Sequence, residues 1–206
     1  RHTRSLCDWS SDVCSSDLMG IKEAKYELLL LTDADCKPSS PNWILHMQEA
    51  FNKPGTEIVL GYGPYEKEKS LLNKLIRFET FFTALQYLSF ALAGMPYMGV
   101  GRNLSYKREV FFRNKGFSAH NQILGGDDDL FVNKVANHTN TAIVIDPESF
   151  IFSKAKTSWS SWRYQKARHY STSRHYHARH IVLLGLSSFS RSEEHTSELQ
   201  SHSDLV

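Results

Sequence analysis

Two acidic clusters hold the residues best suited to chemistry in this chain: Thr32-Asp33-Ala34-Asp35 and Gly125-Gly126-Asp127-Asp128-Asp129-Leu130. Carboxylates one residue apart in a loop can hold a hard divalent cation, and such a cation can hold phosphate oxygens. The second cluster offers carboxylates able to take up a proton. Three in a row repel one another, and that repulsion raises at least one pKa toward the range useful to a base. A cation held by one cluster and a base in the other suit transfer of a group from a phosphorylated donor.

The surrounding elements must bring these clusters together. Tyr26 to Leu31 reads as a strand buried on both faces, and it leads straight into Asp33 and Asp35 at the carboxyl edge of a sheet, where open α/β sheets bind ligands. Ser40-Pro41 looks like a helix start, with the helix running from about 42 to 52. Pro54-Gly55 ends it, and 57 to 62 reads as a short buried strand. A long helix over about 68 to 93 carries a wide apolar face of Leu71, Leu72, Leu75, Ile76, Phe78, Phe82 and Leu85. No charge occurs from Thr80 to Gly101, but Gly94 and Pro96 break the helix too early for a span of roughly 20 apolar residues. A core helix or one lying at an interface is expected instead. Further on, 103 to 106 reads as a strand, the aspartates open a helix to Ala136, and strands follow near 142–145 and 149–153. Trp159 to about Tyr176 reads as a basic aromatic helix.

The two ends are set apart. Asp8 to Leu18 and Arg191 to Ser201 back-translate into DNA strings that are reverse complements, resembling read-through of a sequencing-library adapter. Both are polar and without apolar periodicity. Residues 1–18 and 191–206 are therefore expected to be non-native tails. They hold seven carboxylates against three guanidiniums, so the part between them is four charges more positive than the whole chain's +2. From Ser149 to Ser190 there is no acid, while Lys154, Lys156, Arg163, Lys166, Arg168, Arg174 and Arg179 all fall there; such a block faces phosphate of some kind. Two of the three cysteines, Cys7 and Cys14, lie in the first tail. Cys36 alone gives no disulfide framework and no cysteine zinc site, and the scattered His169, His175, His177 and His180 make poor ligand geometry.

In order, Thr32-Asp33-Ala34-Asp35-Cys36 after a buried strand, Gly99-Val100-Gly101-Arg102-Asn103-Leu104-Ser105-Tyr106, the Gly-Gly-Asp-Asp-Asp-Leu run and Gln165-Lys166-Ala167-Arg168-His169 resemble the family-2 glycosyltransferases, above all their membrane-anchored bacterial members. The resemblance covers nearly all of 19 to 190. It implies an α/β fold, a partial GT-A (Rossmann-like) domain over 19–180 followed by C-terminal helices. The strand-helix-strand unit that binds the nucleotide base is missing from the start, so this looks like a fragment, expected to bind donor poorly and to be inactive by itself.

The same resemblance assigns roles. Asp35 would bind Mg²⁺ or Mn²⁺ bridging the donor diphosphate, with Asp33 on the ribose or the metal. Gly101 would let backbone approach the donor sugar, and Asn103 would support the metal side. The family's acidic motif aligned on Asp129-Leu130 makes Asp127 the base; aligned on its acidic pair, it makes Asp128 the base. Asp129, Gln165 and Arg168 would meet acceptor or diphosphate, and His169 stands where the family has a tryptophan that lines the acceptor channel of processive synthases. The implied reaction moves a sugar from a nucleotide-diphosphate donor to a saccharide or lipid-linked acceptor, with inversion and no nucleic-acid partner. A metal-dependent nucleotidyl or phosphoryl transferase and a basic nucleic-acid-binding module are the alternatives.

The apolar run from Ile181 to Phe189, cut off at the second tail, follows Arg174 and Arg179 and reads over 181–190 as the start of a transmembrane helix with its cytoplasmic flank. A bacterial inner-membrane protein with its catalytic domain on the cytoplasmic face is the expectation.

Overall fold

The computed structural model describes residues 18–114, 127–173, 176, 180, 184 and 185, without the side chains of 127 and 168–173. A four-stranded mixed sheet is its centre, in the order β1 (Leu28–Leu31), β4 (Leu104–Lys107), β3 (Ile58–Leu60), β5 (Thr141–Ile143). β4 is antiparallel to β1 and to β3, while β3 and β5 are parallel. β1, β3 and β5 therefore end on one edge of the sheet, and β4 begins there. A second, two-stranded sheet pairs β2 (Lys37–Pro38) with β6 (Ile151–Phe152).

The central strands are apolar throughout because both their faces are covered: Ile58, Val59, Leu60 and Leu104 are no more than 1 % exposed. β1 departs from the expected strand buried on both faces. It spans four residues and only Leu29 is buried, while Tyr26 before it is 83 % exposed. Within the described residues β1 lies at the edge of the sheet, so its outer side has no strand against which Leu28, Leu30 and Leu31 could be covered.

Helices flank this frame. α1 (Trp43–Glu49) buries Trp43 and Met47 against Val59 and Ile151. α2 (Leu71–Leu92) is capped by the Ser70 hydroxyl, which accepts from the Asn73 backbone N–H at 3.0 Å. Its apolar residues do not form one buried face as expected. Leu72, Ile76, Ala84, Tyr87 and Leu88 point inward, whereas Leu71, Phe78, Phe81, Leu85 and Leu92 are exposed. The helix has more apolar circumference than the elements packed against it cover among the described residues.

α3 (Arg108–Arg113), which the sequence reading did not separate from its surroundings, follows β4 directly. α4 (Asp127–Val135) buries Leu130, Phe131 and Val132 against Tyr106 and Phe111. α5 (Trp159–Ser173) leans on α2, with the Trp162 indole donating to Glu79 at 3.2 Å and Lys166 paired to the same carboxylate at 3.1 Å. Among the described residues no helix is long and apolar enough to cross a membrane. The 181–189 run lies outside the described residues except at Leu184 and Gly185.

One buried amide joins the parts. Asn103 is 0 % exposed, and its Oδ1 accepts from the Trp43 indole at 3.0 Å. Its Nδ2 donates to the carbonyls of Tyr62 and Ser149 at 2.9 and 3.0 Å. Removing it strands the buried Trp43 indole and Ser149 carbonyl, while the part-buried Tyr62 carbonyl keeps the Ile151 N–H at 3.4 Å; each unsatisfied buried group costs about 1–3 kcal/mol. Asn103→Ala is therefore expected to destabilise the protein by about 3 kcal/mol or more, measured by urea unfolding. A loss below about 1 kcal/mol would show that the amide does not hold these segments.

Candidate functional site

Strand register assembles the site. Leu31 pairs with Leu104, and Leu60 pairs with both Leu104 and Ile143. The loop after β1, with Asp33 and Asp35, is thereby set beside the tight turn Gly101–Asn103 that precedes β4. The segment Gly61–Tyr65 after β3 lies on the other side, tied to that turn by the Gly61 N–H donating to the Asn103 carbonyl at 2.9 Å. The Tyr87 hydroxyl, donating to the Gly61 carbonyl at 2.7 Å, locks α2 to the same edge.

Asp33, Asp35 and Cys36 offer ligand atoms that all lie within 4.8 Å of one another. The turn is closed by the Cys36 N–H donating to the Asp33 carbonyl at 3.0 Å. Burial pushes the Asp33 carboxyl above its ordinary range, Arg102 pulls it back, and the Asp35 charge raises it again. Two mutually repelling carboxylates at this spacing fit a hard divalent cation, which would relieve the repulsion. Cys36 fits less well. Its thiol is pushed up by burial and by Asp33, so it stays protonated, and sulfur is a soft donor. The donor set therefore suits Mg²⁺ or Mn²⁺ on Asp33 and Asp35.

The second acidic cluster reaches this edge through α4. Burial of Leu130 to Val132 seats the helix, and Asn133 anchors it by donating to the Tyr97 carbonyl at 2.7 Å. At the helix start, a Cβ on Gly101 would run into the Asp128 carboxylate. Gly101 is thus a glycine because Asp128 occupies the space a side chain would need, and the glycine motif and the aspartate motif meet there. Asp127 opens the helix, but its side chain lies outside the described residues, as does that of Arg168. Gln165 sits half-buried on α5, the helix bound to α2.

Two assigned residues prove to be placed differently. Asn103 spends both amide atoms on protein partners, so its donor-binding assignment gives way to a positioning role. Asp129 is half-buried and meets Tyr176. Burial, reinforced by the Asp128 charge and opposed by the Tyr176 hydrogen bond, pushes the Asp129 carboxyl up to about 8. His180 is a core group, hydrogen-bonded to Asn133 at 2.8 Å. Arg102, whose charge acts on Asp33 and Tyr62, was overlooked in the sequence, although its place between Gly101 and Asn103 could have drawn notice.

Asp129 yields a pH prediction. Its folded pKa of about 8 lies above the unfolded value of about 4. Its contribution to stability is therefore full below about pH 4 and is lost as pH rises through about 8. Thermal melts should show wild-type stability declining over that window relative to Asp129→Asn. Parallel pH profiles for the two proteins would contradict the assignment.

No family model matches the chain, and no curated protein matches it in sequence. Solved structures do match. The mannosyltransferase PcManGT from Pyrobaculum calidifontis, in complex with GDP-Man and Mn²⁺, superposes with a TM-score of 0.54 at 19 % identity, over 76 % of this chain and 41 % of that one. The mannosyl-3-phosphoglycerate synthase from Rubrobacter xylanophilus aligns over 78 % of this chain and 48 % of that one, with a TM-score of 0.43 at 17 % identity. The chain thus spans less than half the length of these structures. Its α/β fold, with a mixed sheet, resembles part of a GT-A glycosyltransferase domain.

Proposed function

We propose that the protein containing this chain is a GT-A glycosyltransferase of the family-2 type, which transfers a sugar from a nucleotide-diphosphate donor to an acceptor hydroxyl with inversion. One observation carries the reading: Asp33 and Asp35 lie beside the Gly101–Asn103 turn, and the Asp128 carboxylate lies against Gly101 in that same turn. A cation-binding pair and a separate carboxylate thus share one sheet edge. A Mg²⁺ or Mn²⁺ bound there would supply Lewis-acid stabilisation of the departing diphosphate.

The chain's own residues do the rest. Asp33 and Asp35 hold the cation side of the donor, and the absence of a side chain at Gly101 lets Asp128 approach the turn. Asp127 or Asp128 takes the proton from the acceptor hydroxyl as its oxygen bonds to the anomeric carbon and the bond to diphosphate breaks. A single displacement needs no covalent sugar–enzyme intermediate. Gln165 and Arg168 are proposed to approach acceptor or diphosphate from α5, and Asn103 keeps the turn in place.

The location proposed is the cytoplasmic face of a bacterial inner membrane, with a saccharide or lipid-linked acceptor. Leu71, Phe78, Leu85 and Leu92 recur every seven residues and are 75, 65, 52 and 71 % exposed, an apolar stripe along one side of α2. Exposed Lys154 and Lys156 precede α5, the helix that leans on it, and exposed Arg163 lies on α5. An apolar stripe accompanied by basic side chains suits an anionic leaflet.

Four measurements on the full-length protein test these statements. Product analysis should find a nucleoside diphosphate; release of pyrophosphate would indicate nucleotidyl transfer instead. Asp33→Asn with Asp35→Asn should abolish Mn²⁺ binding followed by electron paramagnetic resonance. Asp127→Asn with Asp128→Asn should lower transfer by about 100-fold or more while leaving Mn²⁺ binding intact, and an unchanged rate would refute the mechanism. Fractionation should recover the protein with membranes, whereas recovery in the soluble fraction without detergent would rule the location out.

A further inference from the structure

Arg102 is held in place from several sides. Its guanidinium carbon lies 4.4 Å from the centre of the Tyr65 ring, a stacking geometry that fixes the plane. One terminal nitrogen donates to the Ser153 hydroxyl at 3.3 Å. The stem runs against Gly63, where a Cβ would come within 2.6 Å of Nε and 3.0 Å of Cγ. Gly63 thus leaves the space the arginine fills.

This fixed cation is underused by the protein. Nε is buried and has no hydrogen-bond partner, and among the described residues Arg102 forms no ion pair. It nevertheless lies close enough to Asp33 to act on its charge. Leaving a buried guanidinium nitrogen unpaired is costly, and a cation beside two metal-suited carboxylates would by itself compete for them. The placement of that charge makes sense if an anion completes the group. The two carboxylates and one guanidinium carry a net negative charge; a divalent cation reverses it, and the cluster then attracts a doubly charged phosphate group. The planar fork of arginine matches phosphate oxygens two at a time, which a lysine ammonium cannot do.

We infer that Arg102 is a diphosphate-binding residue: held by Tyr65, Ser153 and Gly63 beside the Asp33–Asp35 pair, it grips the donor's diphosphate through the terminal nitrogens of its guanidinium. The inference rests on the proposed glycosyl-transfer site and adds to it a second positive contact, supplied by the protein itself. Since charge on the diphosphate grows as the sugar leaves, the contact strengthens along the reaction.

The test uses the full-length protein with inorganic pyrophosphate and Mn²⁺ as the probe, read by calorimetry, with Mn²⁺ binding alone followed separately. Arg102→Gln should weaken pyrophosphate binding by about 10- to 100-fold and leave Mn²⁺ binding as tight as in wild type or tighter, because a cation competing for Asp33 is removed. Arg102→Lys should recover only part of the loss. Gly63→Ala keeps the charge but displaces the stem, and should weaken pyrophosphate as well; it also serves if Arg102→Gln does not fold. Equal pyrophosphate affinity in wild type, Arg102→Gln and Gly63→Ala overturns the role of Arg102 and leaves the glycosyl-transfer reading standing. Failure of the wild type to bind pyrophosphate with Mn²⁺ overturns both.

Discussion

The fold's functional edge depends on a single buried side chain whose every polar atom is used. Asn103 holds the α1 indole with its carbonyl oxygen and two loop carbonyls with its nitrogen, while its backbone carbonyl receives Gly61. No apolar residue could do this, because each partner is a polar group and the buried ones must be satisfied. The consequence is geometric. The turn that carries Gly101 and Arg102 cannot shift without breaking contacts to three other segments, so what it presents to the sheet edge is fixed before any ligand arrives.

The charges on that edge follow a consistent electrostatic arrangement. Asp33 and Asp35 face solvent near Arg102, while Asp128 approaches from a different helix through Gly101. Four carboxylates close together would be costly in a closed core, and here they are kept apart: one pair on a loop, one across the glycine, and Asp129 beside Tyr176, where burial holds it protonated below about pH 8. A run that reads as three equivalent aspartates is thereby divided among different environments.

The long helix α2 shows what the core does not use. Its inner side supplies Tyr87 to the edge and Leu88 to the core, α5 packs near Leu72 and Ile76 at its first turns, and its outer stripe stays exposed. α5 is attached there through one glutamate, Glu79, which serves both Trp162 and Lys166. A partly exposed ion pair contributes little by itself, so Ala155 and Trp162 packing on Leu72 and Ile76 is the larger part of that attachment.

Much of this was legible in the chain itself. Apolar runs located the strands and the long helix, because burial on a pleated or helical surface imposes periods that survive in the sequence. The carboxylate pair following an apolar strand, and the order of motifs after it, named the candidate cation site and the glycine turn. What the sequence could not show were relations between distant residues. That Gly101 is small because Asp128 lies against it, that Asn103 is spent on Trp43, Tyr62 and Ser149, and that Asp129 faces Tyr176 all depend on strand register and helix seating. Local composition dictates which residues tend to be buried or exposed; which of them meet is decided only when Leu31, Leu60 and Leu104 come into register. The same limit explains α2, whose uniform apolar pattern gave no sign of which side the sheet would cover.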